Sequence, residues 1–224
     1  MQFTGAENDQ ITLNAAAGFT STAGTISFWM RSPGASGGGS EGAMLFDRRT
    51  GAGTVLVQKD DGTLFIQSAP SSANSFSSTV SVSDDKWHHI AVTYDQSVSG
   101  SVSLYIDGVL NTTQANAAEW AWPASQRVEL GNSHDGYWKK FTGFLDDVRI
   151  YTRVLEDFEI SAVSADELAE DDTLAVRLNF DAAPVSGFSV SWYPDGTLQS
   201  STEVQGVYND VPDALSPLFI LPSE

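Results

Sequence analysis

The chain has 224 residues and no cysteine, so neither a disulfide framework nor a thiolate metal site can form. Its 29 acidic and 11 basic residues give a formal net charge of −18, and such a surface repels phosphate backbones and anionic lipid headgroups. The negative charge therefore argues against a nucleic-acid partner. No apolar run approaches the roughly 18 residues of a membrane helix, so the sequence predicts no membrane insertion.

Short runs rich in β-branched and aromatic residues recur along the chain, with turn residues between them. We predict strands at 25–31, 44–47, 54–58, 63–68, 87–95 and 101–107. In the last of these, Val102, Leu104 and Ile106 occupy alternate positions, which predicts that they share a buried face. This spacing of short strands is typical of a β-sandwich or jelly roll.

Turn and loop signals separate these strands. Asp60-Asp61-Gly62 and Asp107-Gly108 contain residues that tolerate left-handed backbone, which predicts two tight hairpins. The segments 33–42 and 68–78 are rich in glycine or serine and are predicted to be loops.

One helix is predicted, at 156–170, where apolar residues keep imperfect helical spacing among acidic ones. Three further strand-like runs follow at 173–180, 187–193 and 196–202. We therefore predict a sandwich over 1–168 and a small β-rich module or extension over 169–224, with the boundary near Ala169.

Four motifs occur in order along the chain: WHHIAVTYD from Trp87, VSLYIDGVL from Val102, VELGNS from Val128 and FTGFLDDVRIYTRVLEDFEI from Phe141. Together with the N-terminal MQFTGAENDQITL and with TISFWMRS from Thr25, they resemble the laminin-G-like family of concanavalin-type domains over about residues 1–163.

The resemblance implies an all-β fold, a jelly-roll sandwich of two antiparallel sheets, often with a calcium ion on its edge. It also implies a secreted or cell-surface protein of bacterial type, in which such domains serve as adhesion or carbohydrate-binding modules. The tail from Ser189 resembles a small β module found at the C-terminal end of secreted bacterial proteins, and it stops about one strand early. The short extension is therefore predicted to be truncated.

Asp146 and Asp147 precede the end of the last main strand. Asp146 shares strand parity with Val148 and Ile150, so if those two face the core, Asp146 points the same way. A lone inward carboxylate is costly without a partner. Asp147 has the opposite parity and is predicted to form an exposed pair with Arg149.

In related calcium-binding domains, an acidic residue at the place of Asp146 is a metal ligand, together with groups from the N-terminal turn. That turn contains Glu7 and Asn8 here. We therefore predict a Ca²⁺ site formed by Glu7, Asn8 and Asp146, because oxygen ligands suit this ion. The alternative is that Asp146 accepts hydrogen bonds from backbone amides or pairs with an arginine.

Two loops between predicted strands, at 119–123 and 132–138, each contain a cluster of aromatic and polar residues. Aromatic faces stack on the C–H groups of sugars, while amides and carboxylates hydrogen-bond their hydroxyls. If both loops lie at one rim they form a glycan-binding surface, although tryptophans in loops also cover core edges. Trp87 is interpreted as structural, and Trp29 as either. The predicted ligand-binding residues are Trp120, Trp122, Asn132, His134, Asp135, Tyr137 and Trp138.

The absence of catalytic signatures from the sequence argues against an enzyme. No strand has the E-x-D-x-E or E-x-D-x-x-E spacing with which concanavalin-type glucanases flank a glycosidic bond. His88 and His89 are adjacent in a strand and point to opposite faces, so they cannot share a zinc ion. We predict a non-catalytic, calcium-stabilised module that binds a polysaccharide or glycoconjugate. The alternatives are a spacer that contacts neighbouring protein domains, and a glycoside hydrolase or lyase of this fold.

Overall fold

The computed structural model of the chain describes residues 1–6, 9–13, 22–34, 42–49, 53–68, 75–95, 101–115, 127–133, 137–166, 174–178, 182–183, 187–190, 199–200, 209–210 and 218–220. One helix lies among them, α1 (Asp157–Ser164). The strands are β1 (Gln2–Thr4), β2 (Ile11–Leu13), β3 (Ala23–Arg31), β4 (Ala43–Arg49), β5 (Gly53–Gln58), β6 (Thr63–Ser68), β7 (Phe76–Ser81), β8 (Trp87–Asp95), β9 (Ser101–Ile106), β10 (Val109–Gln114), β11 (Val128–Leu130), β12 (Lys139–Lys140), β13 (Thr142–Tyr151), β14 (Leu174–Leu178), β15 (Ala182–Ala183), β16 (Gly187–Val190), β17 (Gln199–Ser200), β18 (Asn209–Asp210) and β19 (Leu218–Ile220).

Two seven-stranded sheets form a sandwich. The first sheet has the strand order β1-β13-β3-β8-β9-β10, and β14 also pairs with β13. The second sheet has the order β2-β11-β4-β5-β6-β7, and β12 joins β4 in parallel. The remaining pairings between described strands of the two sheets are antiparallel. The predicted fold class, an all-β antiparallel jelly-roll sandwich, is confirmed.

Side chains on the facing sides of the two sheets fill the core. Every second residue of a strand points inward, because successive side chains lie on opposite faces. Val102, Leu104 and Ile106 of β9 take this position, as their alternation predicts. The largest apolar side chains in this core belong to Phe3, Phe28, Phe46 and Phe141. Burial of one such ring is worth about 1.5–3 kcal/mol relative to its exposure.

Both predicted hairpin turns are confirmed. Asp107 (φ 53°) and Gly108 (φ 76°) join β9 to β10, and two consecutive positive φ angles are those of a type I′ turn. Gly62 (φ 79°) lies in the turn between β5 and β6. A Cβ atom there would lie 2.1 Å from the Oγ of Ser81, so the turn requires glycine for space as well as for conformation.

Helix α1 covers part of the outer face of the first sheet. Glu156 and Glu159 form a reciprocal capping box, in which the Glu156 N–H donates to the Glu159 carboxylate at 2.9 Å. Ile160 and Val163 then pack into a cluster with Ala91, Tyr105, Tyr151 and Leu155. The helix predicted at 156–170 is therefore confirmed but ends at Ser164. No helix in the described ranges is long and apolar enough to cross a membrane.

The strand β14 extends the sandwich beyond its predicted end. Its pairing with β13 runs from Val148↔Leu178 to Tyr151↔Leu174, so β14 belongs to the first sheet. The boundary predicted near Ala169 therefore falls before this strand, and the sandwich reaches Leu178. After it, β15, β16 and β19 form a three-stranded sheet, and β17 pairs with β18.

Several strands lie outside the predicted runs, among them β7 and β10. β7 begins inside the serine-rich segment predicted as a loop, and β10 follows the Asp107-Gly108 turn. Each ends the strand order of its sheet, and much of each lies at or near the surface, so few apolar residues are needed. Their sequences therefore lack the alternation that identifies a half-buried strand.

Candidate ligand-binding surface

One rung of the first sheet carries an outward-facing row of aromatic and polar residues. The register pairs Gln2 with Phe144, Phe144 with Arg31, and Arg31 with Trp87. Directly paired residues point to the same side of a sheet. Because Leu145, the next residue after Phe144, lies in the core, this row faces away from it. We call Gln2, Phe144, Arg31 and Trp87 the Trp87 row.

Two aromatic rings of the Trp87 row lean towards each other across β3. The ring centroids of Trp87 and Phe144 are 6.2 Å apart, with an angle of 56° between the ring planes. The Arg31 guanidinium carbon lies 5.7 Å from the Phe144 centroid. Trp87 is 42% exposed, which is high for a large aromatic residue in a strand. The rung therefore presents aromatic surface to solvent, with a charged group beside it.

The carboxylate of Asp85, in the turn between β7 and β8, holds the guanidinium group of Arg31 in place. Nε and Nη2 of Arg31 donate to the two carboxylate oxygens of Asp85 at 2.8 and 3.1 Å. The backbone N–H of Asp85 donates to the carbonyl of Ser32 at 3.0 Å, which fixes the turn. Hydrogen bonding to Arg31 lowers the pKa of Asp85, and hydrogen bonding to Asp85 raises the pKa of Arg31. Both groups therefore stay charged.

Lys86 in this turn and His88 in β8 also have acidic partners. Lys86 Nζ donates to Asp84 at 2.9 Å. The ring nitrogens of His88 lie 2.8 Å from an Asp107 oxygen and 3.0 Å from an Asp84 oxygen. Burial would lower the pKa of His88, but the two carboxylates outweigh it and raise the pKa above its usual value.

His89 lies on the opposite face of β8 from His88, as predicted from strand parity, and packs under Trp29. The two rings are 5.5 Å apart in an edge-to-face arrangement, and His89 is 1% exposed. Burial lowers the pKa of His89 to about 4, with a further contribution from the charge of Arg149. His89 is therefore neutral at pH 7. Trp29 is half-buried and extends the aromatic surface by one rung.

Of the seven predicted glycan-binding residues, Trp120, Trp122, His134 and Asp135 lie outside the described residues. Trp138 is 6% exposed and packs on the outer face of the second sheet in a cluster with Met44, Val55 and Val57.

Asn132 and Tyr137 are the other two predicted glycan-binding residues that the structure describes. Asn132 is also 6% exposed, and its side chain accepts from the N–H of Ser133 at 2.8 Å. Tyr137 is 58% exposed, and its ring meets that of Trp138 edge-to-face at 5.0 Å. The structure therefore joins Tyr137 and Trp138 and leaves the tyrosine as the accessible ring of the two.

The parity expected for Asp146 is wrong. A bulge between Asp146 and Arg149, with Asp147 at φ 45°, adds a residue to β13, so Leu145 and Val148 face the core in its place. Asp146 is half-buried and accepts from the N–H of Asp147 at 2.8 Å. A hydrogen bond from a backbone amide is the kind of contact that the alternative to a calcium ligand predicts for Asp146.

Asp146 also lies at the far end of β1 from the N-terminal turn. Thr4, which precedes this turn, pairs with Thr142, and four residues of extended strand span roughly 13 Å. The other predicted ligands, Glu7 and Asn8, lie outside the described residues. The described residues contain no group of three or more histidine or acidic side chains placed to hold a metal ion. Calcium binding stays a prediction.

The pair formed by Asp147 and Arg149 is buried, whereas the sequence predicted an exposed one. Nη2 of Arg149 donates to Asp147 at 2.6 Å and also to Asp166, which follows α1. The Arg149 side chain is 1% exposed and that of Asp147 is 14% exposed. Burial would lower the pKa of Arg149, but the two carboxylates hold it above its usual value.

Two buried carboxylates face outward from the second sheet, a feature that the sequence analysis missed. Asp47 and Glu129 are directly paired on β4 and β11, and each is 1% exposed. Glu129 accepts from Arg127 at 2.7 Å and from Gln10 at 3.0 Å, and Asp47 accepts from the hydroxyl of Ser133. Both carboxylates are covered and hydrogen-bonded.

Comparison with known families and structures agrees with this architecture. The profile of the Laminin_G_3 family, described as the concanavalin A-like lectin/glucanases superfamily, matches residues 4–161. A comparison with curated protein sequences gave no match.

Three solved structures show the same fold at low sequence identity. A heptameric SAP-like pentraxin from Limulus polyphemus has a TM-score of 0.55 and 21% identity, over 73% of this chain and 80% of the pentraxin. Domain 4 of AbnA, a GH43 extracellular arabinanase from Geobacillus stearothermophilus, was solved with arabinotriose and has a TM-score of 0.54 and 20% identity, over 73% of this chain and 75% of that domain. The binding domain of botulinum neurotoxin serotype G has a TM-score of 0.56 and 15% identity, over 93% of this chain, which spans only 56% of the neurotoxin domain.

Proposed function

The chain belongs to the concanavalin A-like lectin/glucanases superfamily, and from that premise we propose that it is a non-catalytic carbohydrate-binding or adhesion module of a secreted multidomain protein. The observation that carries this proposal is the Trp87 row. Exposed rings beside a polar pair are the combination that sugars require, because their C–H groups need an apolar face and their hydroxyls need donors and acceptors.

The Trp87 row has both parts in one place. Trp87 and Phe144 supply the aromatic faces, while Asp85 and Arg31 supply an acceptor and a donor within hydrogen-bonding reach of each other. Gln2 is exposed at the end of the row next to Phe144 and adds an amide. Because these groups lie on strands or on a turn fixed by Ser32, the site is largely formed before a ligand binds, which lowers the entropy cost of binding.

Replacing Trp87 by alanine should weaken binding of a polysaccharide about 10- to 30-fold, because an exposed aromatic ring in a small site supplies roughly 1.5–2 kcal/mol. Affinity electrophoresis in gels with and without embedded polysaccharide measures this effect. Phe158→Ala is the matched control, since Phe158 is 73% exposed but lies on α1, outside the row. Both variants should keep the melting temperature of the parent chain within a few degrees.

The predicted loop residues provide the competing location. If Trp87→Ala binds like the parent chain while replacement of Trp120, Trp122 and Tyr137 by alanine abolishes binding, the ligand is held by the loops and the Trp87 row is not the site. If neither set of changes affects binding, both locations are wrong. If no polysaccharide binds at all, the spacer function, with neighbouring protein domains as partners, replaces the proposal.

Calcium stabilisation is the second part of the proposed function. An ion that binds only the folded state raises stability by RT ln(1 + [L]/Kd), so Ca²⁺ at about 100 times its Kd adds about 2.7 kcal/mol. We expect EDTA to lower the melting temperature of the chain and excess Ca²⁺ to restore it. Mg²⁺ at the same concentration serves as the control. Equal melting curves with EDTA and with Ca²⁺ would contradict a structural calcium ion.

A further inference from the structure

The charges around the Trp87 row determine which class of glycan fits it. This step rests on the proposed function and concerns the same surface. Two basic groups lie on the row or in the turn next to it, and a third, His88, lies on the opposite face of β8; each has an acidic partner within hydrogen-bonding distance. The pairs are Arg31 with Asp85, Lys86 with Asp84, and His88 with Asp84 and Asp107.

Among the described residues of this surface, an anionic sugar would therefore find no basic group without an acidic partner. Beside the row, the two cations Arg31 and Lys86 are matched by the carboxylates of Asp85 and Asp84. The whole chain has a formal net charge of −18. To form a two-point ionic pair with a uronate or sulfate through Nε and Nη2, Arg31 would have to leave Asp85, to which both of these groups donate.

We infer that the Trp87 row binds uncharged polysaccharides and excludes acidic ones. Hydroxyl groups of a neutral sugar can use the pair between Arg31 and Asp85 as it stands. Nη1 of Arg31 has no acceptor among the described residues and is available as a donor, while the carboxylate of Asp85 has lone pairs left to accept. The aromatic surface of Trp87 and Phe144 then packs against the apolar face of the sugar ring.

The arginine is also the basis of the test, because removing its partner should change the class of ligand. Asp85→Asn keeps the size and the left-handed conformation of this residue (φ 62°), which asparagine tolerates, and leaves Arg31 without a carboxylate. Asp61→Asn is the matched control. It changes the net charge equally and also lies in an exposed turn, the one between β5 and β6, where the Asp61 side chain bonds only to Thr63 within the described part of the chain.

The experiment compares the parent chain and both variants on neutral polysaccharides (arabinan, xylan, mannan and mixed-linkage glucan) and acidic ones (polygalacturonate, alginate and dextran sulfate). Electrophoretic retention is measured at about 50 mM and about 500 mM NaCl, because salt screens ionic contacts at the higher concentration. The parent chain should be retained by a neutral polysaccharide equally at both concentrations. Asp85→Asn should gain roughly threefold to tenfold retention on an acidic polymer at low salt only. Asp61→Asn should not.

The outcomes separate this inference from the proposed function. Salt-sensitive retention of the parent chain on acidic polymers alone would overturn the inference and leave carbohydrate binding intact. Retention on neutral polymers that Trp87→Ala does not reduce would overturn the assignment of the ligand class to this row. Retention on no polymer of either class would overturn both.

Discussion

Replacing Arg149 by methionine should lower the free energy of unfolding by about 3–5 kcal/mol at pH 7. The change removes one partner of a buried ion pair and leaves the Asp147 carboxylate, whose side chain is 14% exposed, without its guanidinium. It also removes the bond from β13 to Asp166, which connects the end of α1 to the sheet. Urea unfolding followed by tryptophan fluorescence measures the loss.

Two further variants separate the buried charge from the shape of the side chain. Arg149→Met combined with Asp147→Asn should regain part of the loss, because the carboxylate that loses its guanidinium is no longer charged, and asparagine tolerates the φ of 45° at this position. Lys86→Met removes an exposed pair and should leave the free energy of unfolding nearly unchanged. Equal losses in the single and the double variant would show that the charge of Asp147 is not the cause.

The parts of the fold that sequence could predict are those determined locally. The turn at Asp107-Gly108 was predictable because few residues adopt two positive φ angles in succession, and the core side of β9 because Val102, Leu104 and Ile106 alternate. The family resemblance supplied the sandwich of two antiparallel sheets, which no local pattern contains. These features need no knowledge of which distant residues meet.

The bulge in β13 shows why parity arguments failed for Asp146. One extra residue between Asp146 and Arg149 shifts every side chain before it to the other face, and neither aspartate differs from an ordinary strand-end residue in sequence. The predicted inward orientation of the Asp146 carboxylate depended on the absence of a bulge. A positive φ at Asp147 is visible only in the structure.

The Trp87 row was missed for a different reason. Its members come from four strands that are far apart in sequence, so only the register reveals that they are neighbours. One signal was present: in WHHIAVTYD, Trp87 shares parity with His89, while Ile90 and Val92 take the other parity and lie in the core. That alternation places the tryptophan on the outer face, which the interpretation of Trp87 as structural overlooked.

Stability should fall between pH 6.5 and pH 4 because of His89. In the unfolded chain the imidazole takes up a proton near its usual pKa of 6.5, whereas burial in the folded chain lowers this pKa to about 4. The unfolded state therefore binds more protons in this window, and the full contribution to stability is present only above pH 6.5. Each unit of pKa difference corresponds to about 1.4 kcal/mol, so His89 alone should remove about 3 kcal/mol by pH 4.

His89→Leu tests this assignment, because other groups also titrate in this range and only a difference between variants isolates one of them. Neither ring nitrogen of His89 has a hydrogen-bond partner in the described part of the chain, so leucine removes a titrating group without breaking a bond. Its free energy of unfolding should depend less on pH than that of the parent chain, by the same 3 kcal/mol or so. Parallel curves from pH 7 to pH 4 would mean that His89 is protonated in the folded state.

His88→Gln gives the opposite sign and serves as the internal control. The pKa of His88 is raised by Asp107 and Asp84 in the folded chain, so its stabilising contribution is complete below pH 6.5 and disappears as the pH rises through the folded value. This variant should therefore lose stability at pH 5.5 and match the parent chain at pH 9. Because two adjacent histidines on opposite faces of β8 act in opposite directions, the two variants distinguish burial from ion pairing as the cause of each pH dependence.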